Sequence, residues 1–309
     1  MALLEAILTI LGLALFESVS SIDNAVINAE VLTKMSEKAR KWFLTWGLFL
    51  AVFLLRGLLP WAIVWAANPS LGPVEALTST FSNDPKVVNA IESSAPVLLV
   101  GGGVFLLFLF FNWLFLEPKN YGLRGEKFFH RQGAWFYAVV SILLAAVVWF
   151  SLKINPLMAF SAVVGSTAFF ITHGFKQNAE QQEKELIEGK SSMSDVSKIL
   201  YLEAIDASFS IDGVIGAFAF TLSVPLILIG NGLGAYIVRQ LTIGNIERVK
   251  KLVFLKNGAM YSILVLGTIM LLDAFGAHLP AWLSPIITFA IIGYFYWKSK
   301  KELEGKTKK

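Results

Sequence analysis

Nine stretches of the chain stay apolar for about the length of a membrane helix: residues 3–30, 43–66, 95–116, 133–152, 156–173, 199–222, 225–242, 255–274 and 282–298. A bilayer core takes roughly 20 mostly apolar residues per helix. The chain therefore reads as an all-α, polytopic membrane helix bundle of about nine transmembrane helices. Charged residues make up only 16% of the 309, against about 25% in soluble domains, which is too few to coat a water-facing surface. The long apolar run 199–242 is divided at Ser223-Val224-Pro225, where proline after a polar step marks a turn. Glu5 stands where a signal peptide would carry a basic region, so residues 2–32 read as a retained first span.

Charge placement orients the spans. Of the 26 Lys and Arg, 22 fall in alternate loops and the tail, around Lys34–Lys41, Lys119–Arg131, Lys176–Lys198, Arg248–Lys256 and Lys298–Lys309. Cytoplasmic loops carry such an excess, so the N-terminus is expected outside and the C-terminus in the cytoplasm of a cell membrane. The opposite loops hold only Lys86 and Lys153. These basic residues are topology signals, so the bilayer is an expected partner and nucleic acid is not. The loop 67–94 is external, with Asn68-Pro69 and Asn83-Asp84-Pro85 as turn signals. Residues 174–198 form a charged cytoplasmic linker.

An internal repeat appears when spans one and six are laid together. Glu17 aligns with Asp206, Ser21 with Ser210, Ile22 with Ile211 and Asp23 with Asp212. Gly47 to Arg56 has the spacing of Gly230 to Arg239. The two spans run in opposite directions, which makes the units inverted, an arrangement shared by many secondary transporters with a midplane site. The chain divides accordingly into a first membrane repeat (1–116), two linking spans with the charged linker (117–198), and a second repeat with the basic tail (199–309).

Acids inside these spans are the strongest functional signal. Span one carries Glu17 and Asp23, and span six carries Glu203, Asp206 and Asp212. Each costs roughly 2.5–3.5 kcal/mol at a helix centre on the insertion scale, so each must face the bundle interior and find a proton, a counter-charge or a cation. Glu203 and Asp206 are three apart and share a helix face. Glu17 and Asp23 lie about 120° apart on an ideal helix, and converge if the helix loosens at Ser18, Ser20 and Ser21. Ser208 and Ser210 hold the corresponding place in span six. Asn24 adds a neutral oxygen. Arg56 and Arg239 are candidate counter-charges, Arg56 as a buried pair and Arg239 equally as an interfacial side chain. Hard oxygen donors suit Mg²⁺, Ca²⁺ or Mn²⁺.

Other chemistries are excluded by absence. There is no Cys and there are three His, which removes thiolate metal sites and disulfides. No Ser/His/Asp triad, nucleotide-binding segment or redox motif is present, so no enzyme and no prosthetic group are expected. Gly101-Gly102-Gly103, and Gly230, Gly232 and Gly234, lie within apolar spans and permit close helix approach. Asn112 and Asn231 either line a pathway or bridge helices. His173 reads as interfacial, and Glu30 and Asp273 as solvated.

Glu17-x5-Asp23-Asn24 and Glu203-x2-Asp206-x5-Asp212 resemble the two signature helices of the TerC superfamily of integral membrane proteins, and Gly47 to Arg56-Gly57 is similar to its glycine-to-arginine stretch. Where that family commonly has Ser-Ile-Pro after the second aspartate, Gly213-Val214-Ile215 stands here. The resemblance implies export of divalent cations, chiefly manganese, and places Glu17, Asp23, Asn24, Glu203, Asp206 and Asp212 on the metal path. The expectation is a secondary transporter that moves Mn²⁺, or Ca²⁺, outward by proton exchange. Asp23 and Asp212 would coordinate the ion, Glu17, Asp206 and Glu203 would serve as ligands or proton carriers, and Arg56, Arg239, Ser21 and Ser210 would support them. Carboxylates crowded at low dielectric bind protons more tightly, which favours that coupling. The rival readings are a scaffold that binds metal for exported proteins without pumping, and an exporter of amino acids or other organic cations. A homo-oligomer stays open.

Overall fold

The structure is a computed structural model and describes residues 3–47, 50, 56–68, 70–79, 84–187, 193–244 and 246–307. Among these residues there is no β-strand. The described residues form fourteen α-helices: α1 (Leu3–Ser20), α2 (Ile22–Leu32), α3 (Glu37–Trp42), α4 (Leu58–Ala67), α5 (Pro73–Thr78), α6 (Pro85–Phe115), α7 (Glu126–Arg131), α8 (Trp135–Leu152), α9 (Pro156–Ile187), α10 (Asp195–Ala217), α11 (Val224–Gly244), α12 (Ile246–Lys250), α13 (Leu255–Ala274) and α14 (Leu283–Thr307). A π-helical turn, Phe43–Gly47, continues α3.

Local chemistry sets the boundaries. The Asp84 carboxylate accepts from Lys86 N and Pro85 opens α6, while Asn155 caps α9 ahead of Pro156 by accepting from Leu157 N. Side-chain caps satisfy first-turn N–H groups, and proline in that turn gives up a donor with no intrahelical partner. Ser194 caps α10 in the same way. The break expected at Ser223-Val224-Pro225 lies between α10 and α11, with Pro225 in the first turn of α11. At the other end of α6, the Lys119 ammonium donates to the carbonyls of Trp113 and Leu114 and lies over the Trp113 ring. Burial pushes this loop lysine down to about 8.

Among the described residues, six helices are long and apolar enough to cross a membrane: Leu3–Ser20, Pro85–Phe115, Trp135–Leu152, Pro156–Asn178, Val224–Gly244 and Leu255–Ala274. The other three expected stretches are helical but differ for physical reasons. Residues 43–66 contain the π turn and then α4, with 48–49 and 51–55 outside the described residues. Helix α10 carries Glu203, Asp206 and Asp212, and α14 runs from an apolar start into a lysine-rich end. Span one is two helices, not one, because Ser21 (φ −88°, ψ 8°) departs from α-helical geometry. Span six, by contrast, runs through its serines as one helix; the side chain of Ser208 lies outside the described residues.

The hydrophobic core is built around α6, with Phe105, Phe108 and Trp113 fully buried. It packs against α9 and α13. A side chain at Gly165 would strike the Gly101 carbonyl, and one at Gly103 would meet Leu271 and the Gly267 carbonyl, so small residues set both crossings. Helix α1 crosses α11 in the same manner, Gly230 against Leu13 and Gly234 against Glu17. Outside this core, α8 and α9 expose Trp135, Ile142, Trp149, Phe160 and Phe175. That surface is suited to lipid.

Three side chains on α10, α13 and α14 donate to backbone carbonyls of the basic segments. Lys198 donates to Lys34 O at 2.8 Å, Lys298 to Gly122 O, and Asn257 to Asn120 O at 2.9 Å. Ser284 donates to Ala219 O at 2.6 Å, and Ser79, Glu92, Thr221 and Ser223 line one hollow.

Candidate functional site

The membrane acids fall into two groups rather than one. The deeper group is built on Arg56, which is 3% exposed. Its Nε donates to Glu17 Oε1 at 2.9 Å and its Nη1 to Asp206 Oδ2 at 3.1 Å. Glu17 and Asp206, aligned in the two sequence motifs, therefore meet on one guanidinium. Each also has a serine four residues on. Ser21 donates to Glu17 Oε1 at 2.8 Å, whereas Ser210 donates mainly to the Asp206 backbone carbonyl. Asn24 Nδ2 donates to Asp206 Oδ1.

Glycine makes room for this cluster. A side chain at Gly213 would collide with Glu17 Oε2, and one at Gly47 with Glu203 Oε1. Those two carboxylate oxygens, with Asn24 Oδ1 and Asn28 Oδ1, are buried and have no hydrogen-bond partner among the described residues. All four are acceptors. Asn28, Gly47, Arg56, Glu203 and Asp206 line a cavity of about 40 Å³, which Leu44, Val238, Arg239 and Thr242 extend toward the basic loops. Asn28 escaped the sequence reading, although its place one helical turn after Asn24 was the available signal.

Arg239 meets a backbone carbonyl, not an acid, among the described residues. Among the described residues it makes no ion pair, and its Nε donates to the Leu44 carbonyl at 2.6 Å. The π turn leaves carbonyls without ordinary helical partners, and a guanidinium within reach satisfies one.

The second group contains Asp23 and Asp212. Asp23 Oδ2 lies 2.8 Å from Lys256 Nζ, which also reaches Glu117 Oε2 at 3.0 Å. Asp23, Asp212, Glu117, Lys256, Lys176 and Ser20 line a further cavity of about 40 Å³. Glu117 lies beyond the end of α6. Burial would raise its carboxyl, but Lys256 and Lys176 outweigh that and hold it below its ordinary value. His173 stacks on Phe169 and borders the adjoining hollow with Lys176 and Asp212. Sequence reasoning missed Glu117 and Lys256 as site residues, because they sit at span ends where charges are usually solvated.

So the six expected ligands are not gathered on one point. Among the described residues no three Asp, Glu or His are set to share a metal ion. Asn112 donates to Glu117 Oε1 at 3.3 Å, so it bridges within the second group. Asn231 is fully buried with neither amide atom hydrogen-bonded among the described residues. Glu30 is exposed as expected, while Asp273 accepts from Leu279 N at 2.8 Å and closes a turn.

Residues 22–303 match the family described as Protein of unknown function (DUF475). The chain belongs to the DUF475 family. Both charge groups lie within the matched segment apart from Glu17, Ser20 and Ser21. No curated protein and no solved structure matches this DUF475 chain.

Proposed function

We propose that this DUF475 protein is a secondary transporter that exports divalent cations, Mn²⁺ first and Ca²⁺ second, as its resemblance to the TerC superfamily implies. The observation that carries the reading is the set of buried acceptors around the Arg56 cluster that have no hydrogen-bond partner among the described residues: Glu17 Oε2, Glu203 Oε1, Asn24 Oδ1 and Asn28 Oδ1. A buried polar atom without a partner is costly. Four acceptors of one chemical kind, two of them carboxylate oxygens, ask for a hard cation. An anion or an apolar molecule answers none of them.

Arg56 keeps Glu17 and Asp206 neutralised while no cargo is present, so the pair can stay buried. Nine crossings arranged as two inverted repeats, with the N-terminus outside, complete the reading. The aligned acids Glu17 and Asp206 then face each other across the repeat, and rocking of the halves would expose them alternately. Protons are the counter-ion in this scheme, carried by the same carboxylates.

The test is uptake of Mn²⁺, Ca²⁺ and Mg²⁺ into proteoliposomes holding the purified protein. Saturable flux that discriminates among the metals, and that is lost in Asp206→Asn, is expected. Wild-type flux in both Asp206→Asn and Glu203→Gln would refute the assignment. Binding without flux would favour a metal-holding scaffold.

A further inference from the structure

The second cavity contains a cation of the protein's own. Lys256 Nζ sits between Asp23 and Glu117, 2.8 and 3.0 Å from their carboxylates. The chemistry of that position is thus already declared: two oxygen anions converge there on one positive charge. What distinguishes this pair from the Arg56 cluster is access. The Arg56 side chain is 3% exposed, but those of Lys256, Asp23 and Glu117 are 37%, 43% and 20% exposed. Arginine holds carboxylates in a rigid fork, whereas lysine is a point charge on a flexible four-carbon stem. Lys256 stands in the first turn of α13, directly after the turn Lys251–Phe254, so its stem can leave the cavity without moving the helix.

Charge counting gives the consequence. Asp23, Glu117 and Asp212 line this cavity with Lys256 and Lys176. In their ionised forms these sum to a formal charge of −1. If the Lys256 ammonium swings out, the lining carries −2, which a divalent cation would balance. Asp212, the remaining carboxylate, has no ion-pair partner among the described residues and faces the same space. The Ser20 hydroxyl lines it as well.

We infer that Lys256 is a tethered counter-cation, whose ammonium occupies the Asp23–Glu117 carboxylates in place of cargo and must be displaced before a divalent cation can bind there. This rests on the cation reading above and deepens it. The protein has two stations, a fixed one at Arg56 and an exchangeable one at Lys256. The lysine prevents the empty cavity from presenting bare charge in the membrane, and it sets a threshold that a monovalent ion, with half the charge, meets less well. A bridge that only straps α13 to α2 would share the geometry but not the competition.

Mn²⁺ binding to the full-length protein in lipid nanodiscs, read by electron paramagnetic resonance, separates the two. Lys256→Met is expected to bind Mn²⁺ at least tenfold more tightly than wild type, or to bind one additional ion. Adding Glu117→Gln to that variant should return the affinity to within threefold of wild type. Lys256→Arg, which keeps the charge and grips both carboxylates, should bind at least threefold more weakly than wild type, and it serves as an independent arm if the methionine variant does not fold. Wild-type affinity in Lys256→Met or in Lys256→Arg, with wild-type protein binding normally, overturns the counter-cation role and leaves the transporter reading intact. Binding by Lys256→Met alone supports displacement. No binding by wild type or any variant overturns the cation reading itself, and the role of Lys256 with it.

Discussion

Replacing Arg56 by methionine keeps most of the side-chain volume and removes a charge shared by Glu17 and Asp206. Both acids would remain in place, Glu17 at 1% and Asp206 at 8% exposure, facing each other without compensation. Removing one partner of a buried ion pair typically costs about 3–5 kcal/mol, because the charge left behind keeps its desolvation penalty. Two stranded carboxylates put Arg56→Met at the upper part of that range, although Ser21 and Asn24 still donate one hydrogen bond each to them. Neutralising the acids as well should reverse the effect. The triple variant Glu17→Gln, Asp206→Asn, Arg56→Met leaves polar groups of similar shape and no net charge, so it should recover to within about 1–2 kcal/mol of wild type. Reversible unfolding in mixed detergent micelles, followed by circular dichroism, measures all three proteins. Arg56→Met within about 1 kcal/mol of wild type, or a triple variant no more stable than the single one, would refute the claim that a buried charge balance holds this cluster together.

Further outcomes follow from individual side chains. Asn28→Ala removes a carbonyl oxygen that accepts no hydrogen bond among the described residues; it should leave stability unchanged while weakening Mn²⁺ binding at least tenfold, as isothermal titration would show. Gly213→Ala drives a methyl group into Glu17 Oε2, an overpacking that costs about 1–3 kcal/mol and should abolish flux, both readable on one purified sample. Glu117, held below its ordinary value of 4.5 by Lys256 and Lys176, contributes stability that is complete above that value and is lost as pH falls through its lowered folded value. Acid unfolding profiles of wild type should therefore steepen below about pH 4.5, and those of Glu117→Gln should be flatter over that window.

Periodicity and charge were enough to foresee most of the helices. Apolar runs must be helical in lipid because the backbone has no other local way to satisfy its hydrogen bonds, and that requirement holds whatever the neighbours are. Pro225, Pro156 and Pro85 sit where helices begin, since the ring removes a donor that the first turn does not need. The pairing of Arg56 was legible for a similar reason: a buried acid demands a partner, and few cations are available within the spans. The acids themselves were visible, but their grouping was not. Read along the chain, Asp23 and Asp212 belong with Glu17, Glu203 and Asp206.

Tertiary packing decided otherwise. Asp23 and Glu17 already point about 120° apart on a helix, and α13 delivers Lys256 from 233 positions further along the chain to meet Asp23. No local pattern encodes that distance. Nor could spacing alone show that Gly213 and Gly47 sit under carboxylate oxygens, or that Arg239 would find a carbonyl instead of an acid. The sequence by itself determined where helices form and which side chains cannot be left alone in a membrane, because both are properties of single segments in a low-dielectric solvent. Only the folded bundle decided which charges satisfy which, because that depends on how α1, α2, α10 and α13 cross.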